Sequence, residues 1–289
     1  MRSVLSTFLG IILILGCQHL PGGSSIGIQF ELGGKPPTSK EAQAFRASNP
    51  EPVLINGNPV DKAKYPAVVR IFVGSSSCTA SVVGKRTILT AAHCGETGDT
   101  ANFTTVTGKK FQAKLQRAPG YPGKDLDLML GLTSVDIDVK PVSVRLDRFE
   151  RKGMDVVMIG YGCTQPGGSG GNDGVLRMGG SKVEGGQGYD LVLKTPDGSA
   201  LCYGDSGGPL FYAAEGGQLV QIAVNSKGNI RDVSYCTRTT LPEANEFLKS
   251  WNSPICGVSV DCGAAVPPPA DPDSFSCQND QGTFQFKKK

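Results

Sequence analysis

The sequence predicts an all-β fold closed by a single C-terminal helix, on three observations. Its apolar segments are short and rich in Val, Ile and Leu. They are separated by Gly, Pro, Asp or Ser, the pattern of a β-sandwich or barrel. Only one convincing stretch carries helical periodicity. Composition agrees: the 289 residues include 39 Gly and 19 Pro, about 13% and 7% against about 7% and 5% in average proteins. The excess has no three-residue period, which excludes collagen.

In chain order, the expected strands are Ala67–Val73, Ala80–Val83, Thr87–Thr90, Leu126–Leu132, Val139–Val144, Asp155–Ile159, Leu191–Leu193, Pro209–Phe211 and Leu219–Val224. After Pro242 the stretch EANEFLKSW places Ala244, Phe247, Leu248 and Trp251 on one face at helical spacing, predicting a helix that caps the domain. There is no internal repeat.

With 39% apolar residues, 19% charged residues and a net charge of +3, the chain has material for a core and too little charge for wholesale disorder. It lacks the clustered basic face that nucleic acid would require. A single Trp, Trp251, adds no stacking platform.

The N-terminus carries Arg2 and then an apolar run from Phe8 to Leu15 broken only by Gly10. That is shorter than the about 20 apolar residues a membrane span needs. The run ends in Ile14-Leu15-Gly16-Cys17, which resembles a bacterial lipoprotein signal. The resemblance implies lipidation of Cys17 and an N-terminus anchored to the cell-envelope membrane; an ordinary secretory signal is the other reading. Either exports the chain to a compartment that permits disulfides. The expected organisation is 1–16 signal peptide, 17–53 tether or propeptide with a short helix around Lys40–Ala47, 54–252 the folded domain, and 253–289 a tail. Pro267, Pro268, Pro269 and Pro272 favour an extended tail.

Apart from Cys17, eight cysteines remain: Cys78, Cys94, Cys163, Cys202, Cys236, Cys256, Cys262 and Cys277. An even count fits four bridges, and no pair has the close spacing of a zinc knuckle. The sequence calls for no metal and no cofactor.

The chemistry centres on Gly204-Asp205-Ser206-Gly207-Gly208-Pro209, preceded by Cys202. A serine hydroxyl is a poor nucleophile unless a base takes its proton and donors receive the developing oxyanion. Flanking glycines let the backbone turn tightly enough to aim amide N–H groups at one point. A Gly-rich turn without chemistry is the plainer alternative. The chain has two histidines. His19 lies beside the signal cleavage site, so His93, in Leu89-Thr90-Ala91-Ala92-His93-Cys94, is the candidate base.

These two motifs, TAAHC and GDSGGP, resemble those of the chymotrypsin-like (trypsin-fold) serine proteases, and the resemblance covers about 200 residues of the chain. It implies two packed six-stranded antiparallel β-barrels with a C-terminal helix. It implies a serine endopeptidase acting on protein or peptide substrates through an acyl-enzyme, with Ser206 as nucleophile and His93 as base. It pairs Cys78 with Cys94 across the histidine loop.

The third triad member is Asp125 or Asp127, in Lys124-Asp125-Leu126-Asp127-Leu128-Met129. Strand alternation puts Asp125, Asp127 and Met129 on one face. Choosing Asp125 drives Asp127 into an apolar slot without a partner; choosing Asp127 puts Met129 there. Asp127 is favoured.

The resemblance also implies an oxyanion hole from the N–H groups of Gly204 and Ser206. It implies an ion pair between Asp205 and a new α-amine on Leu54, since Leu54-Ile55-Asn56-Gly57 with Tyr65-Pro66 resembles the family's mature start. The preceding Pro50-Glu51-Pro52-Val53 contains no Lys or Arg, which departs from trypsin-type activation. An activating protease or self-processing after Val53 is expected instead.

The resemblance implies that Ala200, six residues before the nucleophile, lies at the pocket floor, and an apolar floor offers no carboxylate to Lys or Arg. The segment 223–228 resembles the strand that binds substrate main chain, with Ser226 and Gly228 lining the pocket and Ser234 at its wall. Small or medium apolar residues before the scissile bond are expected. No Cys lies in 229–233, so Cys202 lacks the family's frequent partner; Gly160-Tyr161-Gly162-Cys163 resembles the GYGC of some bacterial relatives, and that resemblance makes Cys163 the preferred partner. Cys236 takes Cys202 instead, or joins Cys256, Cys262 or Cys277. A latent or non-enzymatic binding protein on the same fold is the alternative function.

Overall fold

The computed structural model describes residues 54–262, apart from 56, 172, 195–198 and 214–218. Cys17, His19, the helix expected around Lys40–Ala47, Val53, Cys277 and the tail prolines lie outside the described residues. A two-residue strand, β1 (Asn58–Pro59), precedes the first barrel. That barrel comprises β2 (Val68–Val73), β3 (Ser76–Gly84), β4 (Thr87–Thr90), β5 (Thr100–Thr104), β6 (Lys110–Arg117) and β7 (Met129–Thr133). It closes in the order β2-β3-β4-β7-β6-β5, every pairing antiparallel.

The second barrel comprises β8 (Asp155–Gly160), β9 (Arg177–Gln187), β10 (Asp190–Lys194), β11 (Pro209–Ala213), β12 (Leu219–Gly228) and β13 (Val233–Arg238). The order β9-β10-β13-β12-β11-β8 returns to β9 through the β8–β9 pairing, and β1 adds to β9 at the rim. The chain therefore has the two six-stranded antiparallel barrels of a chymotrypsin-like fold. Closure leaves few unpaired edges, the usual hazard of β-proteins.

Local sequence explains the elements. In β6 the residues Phe111, Ala113 and Leu115 are buried while their neighbours are exposed, the period-2 signature of a half-buried strand. This strand was missed in the expected set, as were β5, the Gly-rich β9 and β13. The helix α1 (Pro242–Lys249) begins with Pro and buries Ala244, Phe247 and Leu248; Pro suits the first helical turn because the N–H it lacks has no intrahelical partner there. Trp251 lies beyond the helix end, and its indole N–H donates to Thr87 Oγ1 at 3.1 Å.

Two expected strands are corrected. Val139–Val144 forms no ladder; only Val144 makes an isolated bridge, to Gln221. Pro141 offers no N–H to a ladder, and the segment spends its bonds on both barrels: Val142 N–H donates to Val82 O and Arg145 N–H to Gln221 O. The strand expected from Leu126 starts at Met129, because Asp125 sits at φ +53° and Leu128 N–H turns back to Leu126 O. Residues Leu126 to Leu130 are all buried, so the alternation invoked for the aspartates does not hold there.

Within residues 253–262, beyond the expected domain limit, Ile255 and Cys256 are buried. Cys256 N–H donates to Val83 O at 2.8 Å and Cys256 O accepts from Val144 N–H at 2.8 Å. Ile255 joins the core that fills the first barrel and covers α1. Cys256 bridges Cys262. Cys236 is unpaired and fully buried, its Sγ 3.5 Å from Asn225 Oδ1. The expected bridges from Cys236 to Cys202, Cys256 or Cys262 are thereby corrected: strand β13 points this thiol into the second barrel's core, and each of those partners is bonded elsewhere. No helix among the described residues is long and apolar enough to cross a membrane.

Candidate active site

The site lies where loops of the two barrels meet. The first barrel contributes the loop after β4, which ends in a 3-10 turn, Ala92–Cys94. A disulfide of 2.05 Å between Cys78 and Cys94 pins that turn to β3. His93 stands on it with about a third of its side chain exposed (36%), while its partner Asp127 is 4% exposed. Asp127 Oδ2 lies 2.7 Å from His93 Nδ1, and Oδ1 accepts the backbone N–H of His93 at 2.9 Å. A third donor comes from the second barrel: Ser226 Oγ–H to Asp127 Oδ2 at 2.6 Å.

Burial works to raise the Asp127 pKa, but the hydrogen bonds and charge of His93 and the Ser226 hydroxyl outweigh it and hold the carboxyl below its ordinary value. An ionised carboxylate only accepts, so Nδ1 must donate. In the neutral imidazole this leaves the lone pair on Nε2, the atom a base needs. Asp125, the competing candidate, is exposed and pairs with Lys227 Nζ at 2.7 Å.

The second barrel contributes the loop before β11. Gly204 at φ +97° and Gly207 at φ +84° adopt backbone that favours glycine. The buried Thr79 of β3 clasps this loop. Its N–H donates to Ser206 O at 2.8 Å and its hydroxyl donates to Gly204 O at 2.8 Å. A Cβ on Gly207 would lie 1.9 Å from Thr90 Oγ1, so the serine turn fits against the histidine loop only because that residue is glycine. No hydrogen bond joins Ser206 Oγ to the imidazole among the described residues, and catalytic hydrogen bonds commonly tighten only in the substrate complex.

Beneath the turn, Asp205 is fully buried. Its carboxyl accepts from Gly162 N–H at 2.8 Å and Cys202 N–H at 3.0 Å. Burial, opposed by these two donors and by Arg177, raises its pKa to about 7. Cys163 and Cys202 form a disulfide of 2.01 Å that ties together the two segments bonded to Asp205. Leu54 is buried in the second barrel's core with Met154, Val156 and Leu193, and in the uncut chain its nitrogen is a peptide nitrogen.

The residues expected at the pocket lie in the second barrel. Ser226 is buried and gives its hydroxyl to Asp127 where the β12–β13 register shifts between Asn225 and Lys227, an irregularity of the kind that re-aims a side chain. Ala200 is fully buried among Ile55, Cys163 and Cys202, with Ile230 packed over them. Gly228 is exposed opposite Ser234, and Ser234 Oγ accepts Leu201 N–H at 2.9 Å. Thr79 carried no sequence signal, since a threonine in a strand is ordinary. Cys78, His93 and Cys94 approach within 4.8 Å of one another, but both sulfurs are bound in the disulfide and are not metal ligands.

Comparison with known proteins concerns the family and the fold. The family model described as Trypsin matches residues 54–240. A trypsin-like protease of Streptomyces glaucescens is 25% identical over 223 residues, 68% of this chain and 80% of that protein. Among solved structures, a mutant of human heparin binding protein matches with TM-score 0.55 and 18% identity, over 65% of this chain and 92% of that one. Human heparin binding protein itself matches with TM-score 0.53 and 18% identity, over 64% and 91%. At such identity these two likenesses concern the fold.

Proposed function

Because the chain belongs to the Trypsin family, we propose that it is a serine endopeptidase in which Ser206 is the nucleophile, His93 the general base and Asp127 the residue that orients it. The observation that carries this reading is the buried Asp127 carboxylate, bonded to both the ring and the backbone of His93. A fold shared with heparin binding protein does not by itself imply catalysis; an ionised acceptor that leaves Nε2 unprotonated supports it.

Nε2 takes the proton of Ser206 as Oγ attacks the substrate carbonyl. The oxyanion meets the N–H groups of Gly204 and Ser206. The tetrahedral intermediate collapses as the imidazolium gives its proton to the leaving amine, and water, activated by the same base, releases the acyl group. Ala200 and the apolar residues around it favour a small or medium apolar residue before the scissile bond. The family match begins at residue 54, in keeping with a mature chain that starts at Leu54. Its amine would ionise Asp205, which burial otherwise keeps near neutrality. An apolar Val53 makes self-processing at Val53–Leu54 the favoured route, with an activating protease the alternative. Export and a lipid anchor at Cys17 complete the proposal.

The test is labelling of the purified protein with a fluorophosphonate probe, combined with N-terminal sequencing. Labelling of a form beginning at Leu54, lost in Ser206→Ala and His93→Ala, is expected. A form beginning at Leu54 that takes no label defeats the enzymatic reading. Ser206→Ala protein that still matures to Leu54 in the same host defeats self-processing.

A further inference from the structure

The strand that supplies Ser226 also supplies Lys227, and both reach the loop that carries Asp127. Successive strand residues normally point to opposite faces. Here the irregularity between Asn225 and Lys227 lets Ser226 reach Asp127 at 2.6 Å and Lys227 reach Asp125 at 2.7 Å. Two neighbours on the second barrel thus hold two residues, one position apart from adjacency, on a loop of the first. Lys227 Nζ also lies 3.1 Å from Asp190 Oδ2. Asp190 is buried in β10 and accepts the Thr237 hydroxyl at 2.7 Å, so that end of the bridge is rigid.

We propose that Lys227 is a positioning residue for the acid–base pair, its ammonium anchored on Asp190 and holding Asp125 so that the loop presents Asp127 to His93. Rigidity at Asp127 matters because a small misplacement of an orienting group is costly in rate. The loop needs such a hold: residues 125–128 belong to no strand, and Asp125 sits at φ +53°, a left-handed conformation in which non-glycine residues persist only when held by their surroundings. The Tyr121 ring and Arg117, stacked at 5.2 Å, stand at the other end of the same loop. Burial works against the charge of Lys227, but Asp125 and Asp190 more than offset it and raise its pKa.

The proposal rests on the protease reading, and its test has one readout in activity and one outside it. Lys227→Met is expected to lower kcat about tenfold with KM little changed, and Lys227→Arg to recover most of the loss. Asp125→Asn is expected to behave like Lys227→Met. The double variant is expected to be no worse than either single one, the non-additivity of residues acting as a unit. Independently, the low-field proton resonance of the His93 Nδ1–H···Asp127 hydrogen bond is expected in the unaltered protein and is lost or broadened in Lys227→Met. A Lys227→Met protein with unchanged kcat and an unchanged resonance overturns the proposal, as do losses from Lys227→Met and Asp125→Asn that multiply. Should the unaltered Leu54 form take no fluorophosphonate while the resonance still depends on Lys227, the protease reading falls and the clamp stands.

Discussion

Asp127 and Asp205 are both buried carboxyls beside the same site, yet they are pushed in opposite directions. Asp127, between the barrels, meets an imidazole, a backbone N–H and a hydroxyl, and its pKa is lowered. Asp205, in the second barrel, meets two neutral backbone N–H groups, and its pKa rises to about 7. Burial penalises the charge of both; the partners decide the outcome. The first stays ionised against its imidazole partner. The second has two neutral donors and the charge of Arg177, which together do not overcome its burial.

The sharpest way to break this contrast is Asp127→Asn, which removes the ionised acceptor and lets the imidazole adopt the wrong tautomer. Loss of about ten-thousandfold in kcat is expected. Asp125→Asn, reached only through Lys227, is expected to lose far less, and steady-state kinetics on one peptide substrate compares the two.

On the Asp205 side the largest effect is steric. A Cβ at Gly162 would lie 2.4 Å from Asp205 Cγ, so Gly162→Ala must displace a buried, hydrogen-bonded carboxyl. Destabilisation of about 3 kcal/mol is expected from overpacking and broken hydrogen bonds, measurable by denaturant unfolding of Ser206→Ala protein, which cannot digest itself.

The ionisation of Asp205 gives a graded effect. Its folded pKa of about 7 lies above the 3.8 of the unfolded group, so the folded state holds more protons between these values. This contribution to stability is complete below pH about 4 and is lost as pH rises through about 7. Melting temperatures of uncut Ser206→Ala protein are expected to fall across that window more steeply than those of the form beginning at Leu54, where the amine favours the charged carboxylate. Equal slopes would remove Asp205 from the activation step.

The smallest effect concerns Ser226. Ser226→Ala takes one of three donors from Asp127, and a hydrogen bond to a charged group is worth about 1.5–3 kcal/mol. A fall of about tenfold in kcat/KM is expected, with the acid limb of its pH profile showing whether the Asp127–His93 pair titrates differently.

The segments that meet at the candidate site were legible in the chain. His93 and Ser206 sit in short motifs whose residues follow one another in sequence, and a turn of glycines announces its own geometry. Strands were legible where apolar runs were dense and illegible where alternation was spread over polar residues, as in Lys110–Arg117, or diluted by glycine, as in Arg177–Gln187. Asp127, and not Asp125, meets His93, but the premise of strand alternation used to prefer it fails there. The role of Ser226 depended on a bulge, which leaves no reliable mark in sequence.

The sequence by itself determined the fold class and the segments that meet at the candidate site, because periodicity, turn residues and contiguous motifs are local properties. Only the tertiary structure decided which aspartate meets His93, that Cys256 meets Cys262 and that Cys236 stays a thiol. It also decided that Ser226 and Lys227 reach across from the second barrel. These contacts join residues from 6 to 102 positions apart, and the energy that selects them comes from closing each barrel and packing the two together.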